Sequence, residues 1–269
     1  MNPFVTPVLL GGVLAAVHEA GQCILDARTR PRRIRHKGRI DLVTETDLAS
    51  EALLKERLGA LLPGADFMAE ESAASRVPGE LTWIIDPLDG TTNFAHGLPV
   101  VAVSVGLWRA GEPVLGVVAV PVLGETFHAV RGQGAFLNGE PIAVSATDRP
   151  VDALVATGFP YSVAGDMEHI MGPMSRVLPA TRGLRRMGAA AADLAYVACG
   201  RLDAFYEIRL KPWDTTAGWL LVEEAGGRVT RFDPEVPYTP GAPSILASNG
   251  RLHGAVAALV LGDGPDLRE

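Results

Sequence analysis

The sequence predicts a layered α/β fold of the α+β kind, with an antiparallel-rich first half and a mixed-sheet second half. Two segments with apolar residues at helical spacing open the chain, over 3–28 and 47–62. Runs rich in β-branched residues, separated by Gly and Pro turns, fill the centre, whereas strand-like and helix-like segments alternate after Pro150. We therefore expect two closely packed halves, residues 1–148 and 149–269.

The strands of the first half are bounded by turn residues. An apolar run at 81–85 is expected to stop at Asp86-Pro87, because proline removes a hydrogen-bond donor from the ladder. Further strands are predicted at 66–68, 100–108, 114–120 and 126–130. Asn138-Gly139 predicts a tight hairpin turn. A short apolar stretch at 40–43, after the basic segment 30–39, is either an exposed connection or a hairpin.

The second half alternates strands and helices. Strands are predicted at 153–157 and 203–208 and near Val229 and Ile245. Helices are predicted around 166–178 and at 189–199, 215–225 and 251–260, two of them ended by glycines at 200 and 226–227. This regular alternation is typical of α/β layers, so we expect the second sheet to be mixed.

The composition excludes several classes of protein. With 48% hydrophobic and 20% charged residues and a mean hydropathy of +0.19, the 269-residue chain is typical of a compact soluble enzyme. A net charge of −7 argues against a nucleic-acid surface. Cys23 and Cys199 stand far apart, which indicates neither a disulfide framework nor a zinc site and favours a reducing cytoplasm. The apolar stretch 4–16 lacks a preceding Lys or Arg, so we expect a core helix and no membrane span.

An acidic turn at 86–92 follows the apolar strand at 81–85. Asp86 leaves the strand, Pro87 fixes the direction, and Gly90 lets the backbone turn so that Asp89 points back. Two carboxylates can then meet at one point. A role in solubility explains poorly why acidic residues directly follow an apolar strand. Thr91 and Thr92 follow with hydroxyl and N–H groups, an arrangement that accepts a phosphate at the start of a helix.

Other acids occupy similar positions, where strands end or helices begin. They are Asp47, Glu70, Glu71 and Asp214. Taken singly, Asp47 and Asp214 can be helix caps, and the Glu70-Glu71 pair can be a solvated turn. Carboxylates about 4 Å apart repel by roughly 4 kcal/mol at an effective dielectric near 20, so a cluster needs cations or protons. A ligand set made only of oxygens points to Mg²⁺ or Mn²⁺ and not to zinc.

These segments together resemble the inositol monophosphatase family, a group of lithium-sensitive, magnesium-dependent phosphatases with bacterial members. Its Asp-Pro-(Ile/Leu)-Asp-Gly-Thr hallmark is matched at 86–91, and its Trp-Asp segment before a helix ending in Glu-Ala-Gly-Gly is matched at 213–227. The segments 41–47 and 70–72 match its Asp-x-Val-Thr-x-x-Asp and Glu-Glu-Ser motifs. The chain departs from the family at Ala69, at Thr216 and at Ala189, where a Ser or Thr hydroxyl is common.

The resemblance implies an αβαβα sandwich of the sugar-phosphatase type and a metal centre. It assigns one ion to Glu70, Asp86 and the Leu88 carbonyl, and a second ion to Asp86, Asp89 and Asp214. Two or three Mg²⁺ ions are implied, with Mn²⁺ as a possible substitute. The first half would hold the metal ions, and the second half would complete their site and supply the substrate contacts.

The resemblance also implies the other site residues. Glu70 and Thr91 would orient and activate the attacking water. Asp47 would support Thr91 through a hydrogen bond, and Glu71 would adjust the environment around these residues. The phosphate would lie against Gly90, Thr91 and Thr92, with Lys37 nearby. Sugar-hydroxyl contacts would come from the remaining residues, Gly188, Ala189 and Glu207.

The implied function is the hydrolysis of a small polyol phosphate, foremost myo-inositol 1-phosphate, by a cytoplasmic, lithium-sensitive homodimer without a membrane or nucleic-acid partner. Related activities stay open, namely on histidinol phosphate, on 3′(2′),5′-bisphosphate nucleotides or on fructose 1,6-bisphosphate. Arg185-Arg186 could bind a second phosphate. A non-catalytic role as a partner in transcription complexes is the alternative from another class. The Asp-x-x-Asp spacing disfavours haloacid-dehalogenase phosphatases, which need Asp-x-Asp.

Overall fold

The computed structural model describes residues 4–29, 34–36, 42–73 and 77–262. The helices in these ranges are α1 (Pro7–Arg28), α2 (Glu45–Leu61), α3 (Thr91–His96), α4 (Val163–Ala180), α5 (Ala190–Ala198), α6 (Pro212–Glu224) and α7 (His253–Leu261). The strands are β1 (Ile34–His36), β2 (Leu42–Thr44), β3 (Asp66–Ala69), β4 (Leu81–Asp89), β5 (Ala102–Arg109), β6 (Glu112–Val120), β7 (Glu125–Val130), β8 (Ala135–Leu137), β9 (Glu140–Ile142), β10 (Leu154–Thr157), β11 (Gly183–Arg185), β12 (Ala204–Ile208), β13 (Arg228–Thr230) and β14 (Ser244–Ser248).

The two N-terminal helices pack on each other and on the first sheet. Thr6 is the N-cap residue of α1, and its hydroxyl accepts a hydrogen bond from the Leu9 N–H at 3.2 Å. Pro7 follows at the first helical position. In the described part of the chain, α1 is the helix that is long and apolar enough to cross a membrane. One side of it, including Val13 and Val17, packs against α2 and β6, so α1 belongs to the folded core, as predicted.

The first sheet has seven strands in the order β3-β4-β5-β6-β7-β8-β9 and is antiparallel except for the β3/β4 pair. The expectation that the strand stops at Pro87 is wrong, since β4 continues to Asp89. Its pairing with β5 shifts register between Asp86 and Asp89, so a bulge accommodates the proline without a ladder hydrogen bond. The hairpin at Asn138-Gly139 is confirmed, with positive φ angles of 51° and 88°.

The second sheet has five strands in the order β11-β10-β12-β14-β13. β10 is parallel to both β11 and β12, whereas β14 is antiparallel to both β12 and β13. The predicted mixed sheet is therefore confirmed. Each sheet lies within one of the two predicted halves, although the boundary between residues 148 and 149 itself stays a prediction. The short pair β1/β2 confirms a hairpin near residue 42.

The elements stack in five layers, which confirms the αβαβα sandwich. α1 and α2 cover one face of the first sheet, α5 and α6 lie between the sheets, and α4 and α7 cover the far face of the second sheet. Successive residues of β6 face alternate layers: Val117 packs with α1 and α2, and Val118 packs with α5 and α6. Thr216, a departure from the family, lies in this central layer, where its hydroxyl donates to the Pro212 carbonyl at 2.7 Å.

Candidate active site

The acidic turn at the end of β4 lies where the first sheet meets the central helices. The Asp86 side chain is 2% exposed, and its Oδ1 accepts a hydrogen bond from the Leu88 N–H at 3.0 Å. Gly90 precedes α3 with φ +85°, and a Cβ there would lie 3.1 Å from the Val100 carbonyl oxygen. Only glycine combines this left-handed backbone with such close packing, so the predicted turn residue has its expected role.

Asp214 reaches the same place from the first turn of α6. Its Oδ2 accepts a hydrogen bond from the N–H of Lys211, the N-cap residue of α6, at 2.6 Å, and this bond caps the helix. Ser104, the partner of Asp86 in the β4/β5 register, donates to the Trp213 carbonyl at 3.2 Å. Since Trp213 precedes Asp214, this bond fixes the start of α6 beside Asp86.

Asp89 connects the acidic turn to the second half of the chain. Its Oδ2 accepts a hydrogen bond from the Ala191 N–H at 2.7 Å, in the first turn of α5. Ala189, the N-cap residue of α5, supplies no side-chain cap. Asp89 thus takes the place of a capping side chain, and its negative charge lies at the positive end of the helix.

The electrostatics show that four carboxyl groups influence one another. Burial, and then the charges of Glu70, Asp89 and Asp214, raise the pKa of Asp86 well above its usual value. Burial also raises the pKa of Asp89 to about 7, with the charge of Glu70 adding to the effect. The pKa of Asp214 rises to about 7 through burial and the charge of Asp89. The predicted acids are therefore brought together, with Asp86 deepest.

This donor set fits a divalent cation. In the part of the chain that the structure describes, no three acidic, His or Cys side chains are already arranged to hold a metal ion. Like charges on neighbouring carboxylates repel one another. A hard cation would remove that repulsion and use the oxygen ligands that it prefers. The site is thus suited to a divalent metal ion.

Thr91 and Asp47 form the predicted support beside the acids. The Thr91 hydroxyl oxygen lies 3.0 Å from Asp47 Oδ1 and 3.1 Å from the Leu88 carbonyl oxygen. Asp47 Oδ2 accepts a hydrogen bond from the Thr44 N–H at 2.9 Å and so caps α2. One oxygen of Asp47 therefore caps the helix, and the other lies within hydrogen-bond distance of Thr91. Burial raises the pKa of Asp47.

The Glu70-Glu71 turn is held by a residue that the sequence analysis missed. Glu51 in α2 accepts hydrogen bonds from the Glu71 N–H at 2.9 Å and from the Ser72 hydroxyl. The Glu70 N–H donates to the Ile85 carbonyl at 3.1 Å, so Glu70 continues the β3/β4 pairing towards Asp86. Glu51 lies one helical turn after Asp47, and this spacing on a buried helix face is the signal that could have found it.

The predicted substrate residues come from both halves of the chain. Glu207 in β12 is 7% exposed, and burial raises its pKa well above the usual value, with the charges of Asp193 and Asp214 adding to it. Gly188 and Ala189 precede α5, and Ala189 is buried. Thr92 is exposed in the first turn of α3. Lys37 lies outside the described residues.

Asp193 and Arg186 are further charged residues near Glu207. Asp193, in the first turn of α5, is 1% exposed, and its Oδ1 has no hydrogen-bond partner among the described residues. The Arg186 guanidinium lies over the Phe159 ring, 5.1 Å from its centroid, and its charge opposes the rise in the pKa of both acids. The sequence analysis missed Asp193, because an acid in an alanine-rich helix shows no local signal of burial.

Comparison with known proteins agrees with this fold. The model of the inositol monophosphatase family matches residues 7–262. Inositol monophosphatase 2 of Solanum lycopersicum is 44% identical over 250 residues, which covers 90% of this chain and 94% of that protein. The solved inositol monophosphatase of Anabaena has a TM-score of 0.82 and 36% identity, with 97% of each chain covered. The extragenic suppressor protein suhB of Bartonella henselae has a TM-score of 0.89 and 34% identity, covering 95% of this chain and 99% of that one.

The fold and the acidic site define a metal-dependent phosphatase of the layered α/β class. Its five-layer architecture is that of the solved relatives, and its acids lie at the junction of β4, α5 and α6. The chain belongs to the inositol monophosphatase family.

Proposed function

We propose that this enzyme hydrolyses myo-inositol 1-phosphate to inositol and phosphate in the presence of Mg²⁺. The observation that carries the proposal is the group Asp86, Asp89 and Asp214, whose pKa values are all raised in a chain of this family. The relatives named inositol monophosphatases support this substrate. They do not favour the histidinol-phosphate, bisphosphate or non-catalytic alternatives.

The metal ions would be held mainly by the first half, residues 1–148. We assign Glu70, Asp86 and the Leu88 carbonyl to one Mg²⁺ ion, and Asp86, Asp89 and Asp214 to a second, with a third ion possible in the active complex. When bound, the ions would stabilise charge on the attacking water and on the leaving oxygen. Mn²⁺ would substitute, because it prefers the same oxygen ligands.

The remaining first-half residues would position the water and the phosphate. Thr91 and Glu70 orient the attacking water, and the bond between Thr91 and Asp47 supports this role. The N–H groups of Gly90, Thr91 and Thr92 bind phosphate oxygens at the start of α3. Glu71, held by Glu51, keeps the turn that carries Glu70 in place.

The second half, residues 149–269, would bind the polyol. The Glu207 carboxylate accepts hydrogen bonds from substrate hydroxyls, and Gly188 and Ala189 supply further contacts to the polyol. Because Ala189 lacks a hydroxyl, this chain relies more on Glu207 than relatives with Ser or Thr there. Arg185 and Arg186 are exposed, so they remain accessible to a more highly charged substrate.

A phosphate-release assay tests the proposal. Purified protein is incubated with myo-inositol 1-phosphate, histidinol phosphate, fructose 1,6-bisphosphate and a 3′(2′),5′-bisphosphate nucleotide, each with Mg²⁺ or with EDTA. We expect the highest kcat/KM with the inositol ester and loss of turnover in EDTA. A higher kcat/KM with another ester would reassign the substrate, and no release from any ester with Mg²⁺ would favour the non-catalytic role.

Lithium should inhibit this enzyme at submillimolar to millimolar concentration. The ion shared by Asp86, Asp89 and Asp214 has mainly side-chain ligands and must let the products leave, so it should be the more weakly held. Li⁺ is similar to Mg²⁺ in size but carries half the charge, and it would therefore occupy that position without activating the leaving group. Inhibition should be uncompetitive in substrate. Full activity at about 100 mM LiCl, with NaCl as the ionic-strength control, would contradict this.

We also propose a cytoplasmic homodimer. Among the described residues, neither Cys23 nor Cys199 forms a disulfide, which suits a reducing compartment. Closed two-fold dimers are the commonest oligomers of soluble proteins, and light scattering at micromolar concentration measures the state directly.

A further inference from the structure

Gly158 lies directly beneath the Glu207 carboxylate. A Cβ added at Gly158 would lie 2.0 Å from Glu207 Oε2, 2.3 Å from Cδ and 2.4 Å from Oε1. Gly158 follows β10, which is parallel to β12, and Thr157 pairs with Tyr206 in the register. The next positions along these two strands are Gly158 and Glu207, so the carboxylate folds across the neighbouring strand and rests on its glycine.

Space, and not backbone conformation, requires glycine at this position. The φ angle of Gly158 is not positive, so an alanine could adopt the same backbone conformation without strain. Both Gly158 and Glu207 are buried, and the atoms that would collide are the added Cβ, which the main chain holds in place, and the far end of the Glu207 side chain. A Cβ would therefore displace the carboxylate and leave the strands where they are.

The displaced carboxylate would have no equivalent place to go. Asp193, Asp214 and Asp89 act on Glu207 as negative charges, and Arg186 acts on it as the opposing positive charge. Movement towards the acids would be repelled, and movement towards Arg186 would take the carboxylate to an exposed side chain. The position above Gly158 is thus the one in which Glu207 faces the site while it stays inside the fold.

We propose that Gly158 is a positioning residue for substrate recognition, because its missing side chain provides the space that aims the Glu207 carboxylate at the hydroxyls of the leaving group. This inference rests on the proposed function, in which Glu207 binds the polyol. Gly158 and Glu207 together then set the preference for a leaving group with several hydroxyls over a leaving group with no further hydroxyl.

The test compares Gly158→Ala, Glu207→Gln and the double variant with the wild type. Gly165→Ala is the matched control, since Gly165 is exposed in the first turn of α4 with no atom within 4 Å of an added Cβ. For each protein kcat/KM is measured with myo-inositol 1-phosphate and with phenyl phosphate, whose leaving group carries no further hydroxyl. The ratio of the two values reports recognition of the polyol separately from the chemistry at phosphorus.

We expect Gly158→Ala to lower this ratio about tenfold, mainly through KM, as loss of a hydrogen bond to a charged group would. Glu207→Gln should lower it similarly, and the double variant should fall no further than either single variant, because both changes remove one interaction. Gly165→Ala should keep the wild-type ratio. A lowered ratio in Glu207→Gln with a wild-type ratio in Gly158→Ala would overturn the inference and leave the proposed function standing.

Two other outcomes are equally decisive. A wild-type ratio in Glu207→Gln would reject the role of Glu207 in the proposed function, and the inference with it. If Gly158→Ala does not fold, Gly158→Ala with Glu207→Ala should fold like Glu207→Ala alone, because the colliding carboxylate is gone. A double variant as unstable as Gly158→Ala would show that the glycine serves some other contact.

Discussion

Asp89 serves two parts of the molecule at once. One of its oxygens caps α5 through the Ala191 N–H, and its charge contributes to the cluster around Asp86. An asparagine would keep an oxygen acceptor for the helix and remove the charge. A substitution at Asp89 can therefore separate stability from chemistry. The cap of α5 needs only an oxygen acceptor, whereas the acidic cluster needs the negative charge.

Asp89→Asn should therefore retain the fold and lose the reaction. Replacing even the indirect partners of a metal ion costs about 10–100-fold, so loss of the direct ligand that we propose Asp89 to be should lower turnover and metal affinity by at least about 100-fold. In EDTA the thermal midpoint should equal or exceed that of the wild type, since one repelling charge is gone. Turnover with Mg²⁺ and calorimetric metal titration are the measurements. Turnover at the wild-type level would remove Asp89 from the metal site.

Ala189→Ser should stabilise the protein. Ala189 has the extended backbone of an N-cap residue, with φ −148° and ψ 101°, but no side-chain acceptor. A serine hydroxyl could accept a bond from the first turn of α5 beside the one that Asp89 already accepts, which is typically worth about 1 kcal/mol. We expect the thermal midpoint to rise by about 2–4 °C. An unchanged or lower midpoint would show that Asp89 alone satisfies this helix end.

At the scale of elements, Asn93 joins α3 to the segment that leads into α5. Its Nδ2 donates to the Val100 carbonyl at 2.7 Å and to the Met187 carbonyl at 2.7 Å, and the side chain is 5% exposed. Met187 lies in the second half and α3 lies in the first. One amide group therefore holds together the two elements that would bind the phosphate and the polyol.

Asn93→Asp should break this connection. The carboxylate has no hydrogen to donate, so two hydrogen bonds are lost and a charge faces two carbonyls, at a cost of about 3 kcal/mol in the free energy of unfolding. Asn138→Asp is the comparison, because Asn138 lies in an exposed turn and donates one side-chain hydrogen bond, to the Gly124 carbonyl. Its Oδ1 accepts from the Thr126 N–H at 2.8 Å, a bond that aspartate keeps, so this change should cost under about 1 kcal/mol. Urea unfolding measures both. Equal losses in the two variants would contradict the special role of Asn93.

At the scale of the whole molecule, stability is shared among layers that meet through buried polar contacts. His253, 1% exposed at the start of α7, lies between Thr230 of β13 and Ser248 of β14. Its Nε2 is 2.8 Å from the Thr230 hydroxyl, and its Nδ1 is 2.8 Å from the Ser248 hydroxyl. Burial, and then the charge of Arg228, lower the pKa of His253 to about 4.

This histidine should make the fold less stable at mildly acidic pH. Its pKa is lower in the folded protein than the value of about 6.5 expected in the unfolded chain, so the folded state favours the neutral ring. Its contribution is complete above about pH 6.5 and is lost as the pH falls towards 4, with about 2 kcal/mol gone at pH 5. His253→Gln should lose less stability than the wild type between pH 7 and pH 5 in urea unfolding. Equal losses would exclude His253 as the cause.

The sequence by itself determined what depends on neighbours along the chain. The acidic turn with Asp86 and Asp89, the hairpin at Asn138-Gly139 and the alternating elements after Pro150 all follow from local backbone preferences and periodicity. The motif order also identified the family, and the charges of Asp89 and Asp214 do raise the pKa of Asp86. One local inference was wrong, because a bulge let β4 continue past Pro87.

Only the tertiary structure decided which distant residues support these acids. Glu51 holds the turn after Glu70, Asn93 binds the Met187 carbonyl, and Gly158 makes room for Glu207. Each partner is separated from the other by tens of residues, and neither Asn93 nor Gly158 carries a local pattern that distinguishes it from a surface or turn residue. Contacts of this kind arise when layers stack to bury apolar surface, and that packing, which no short segment contains, sets the geometry of the site.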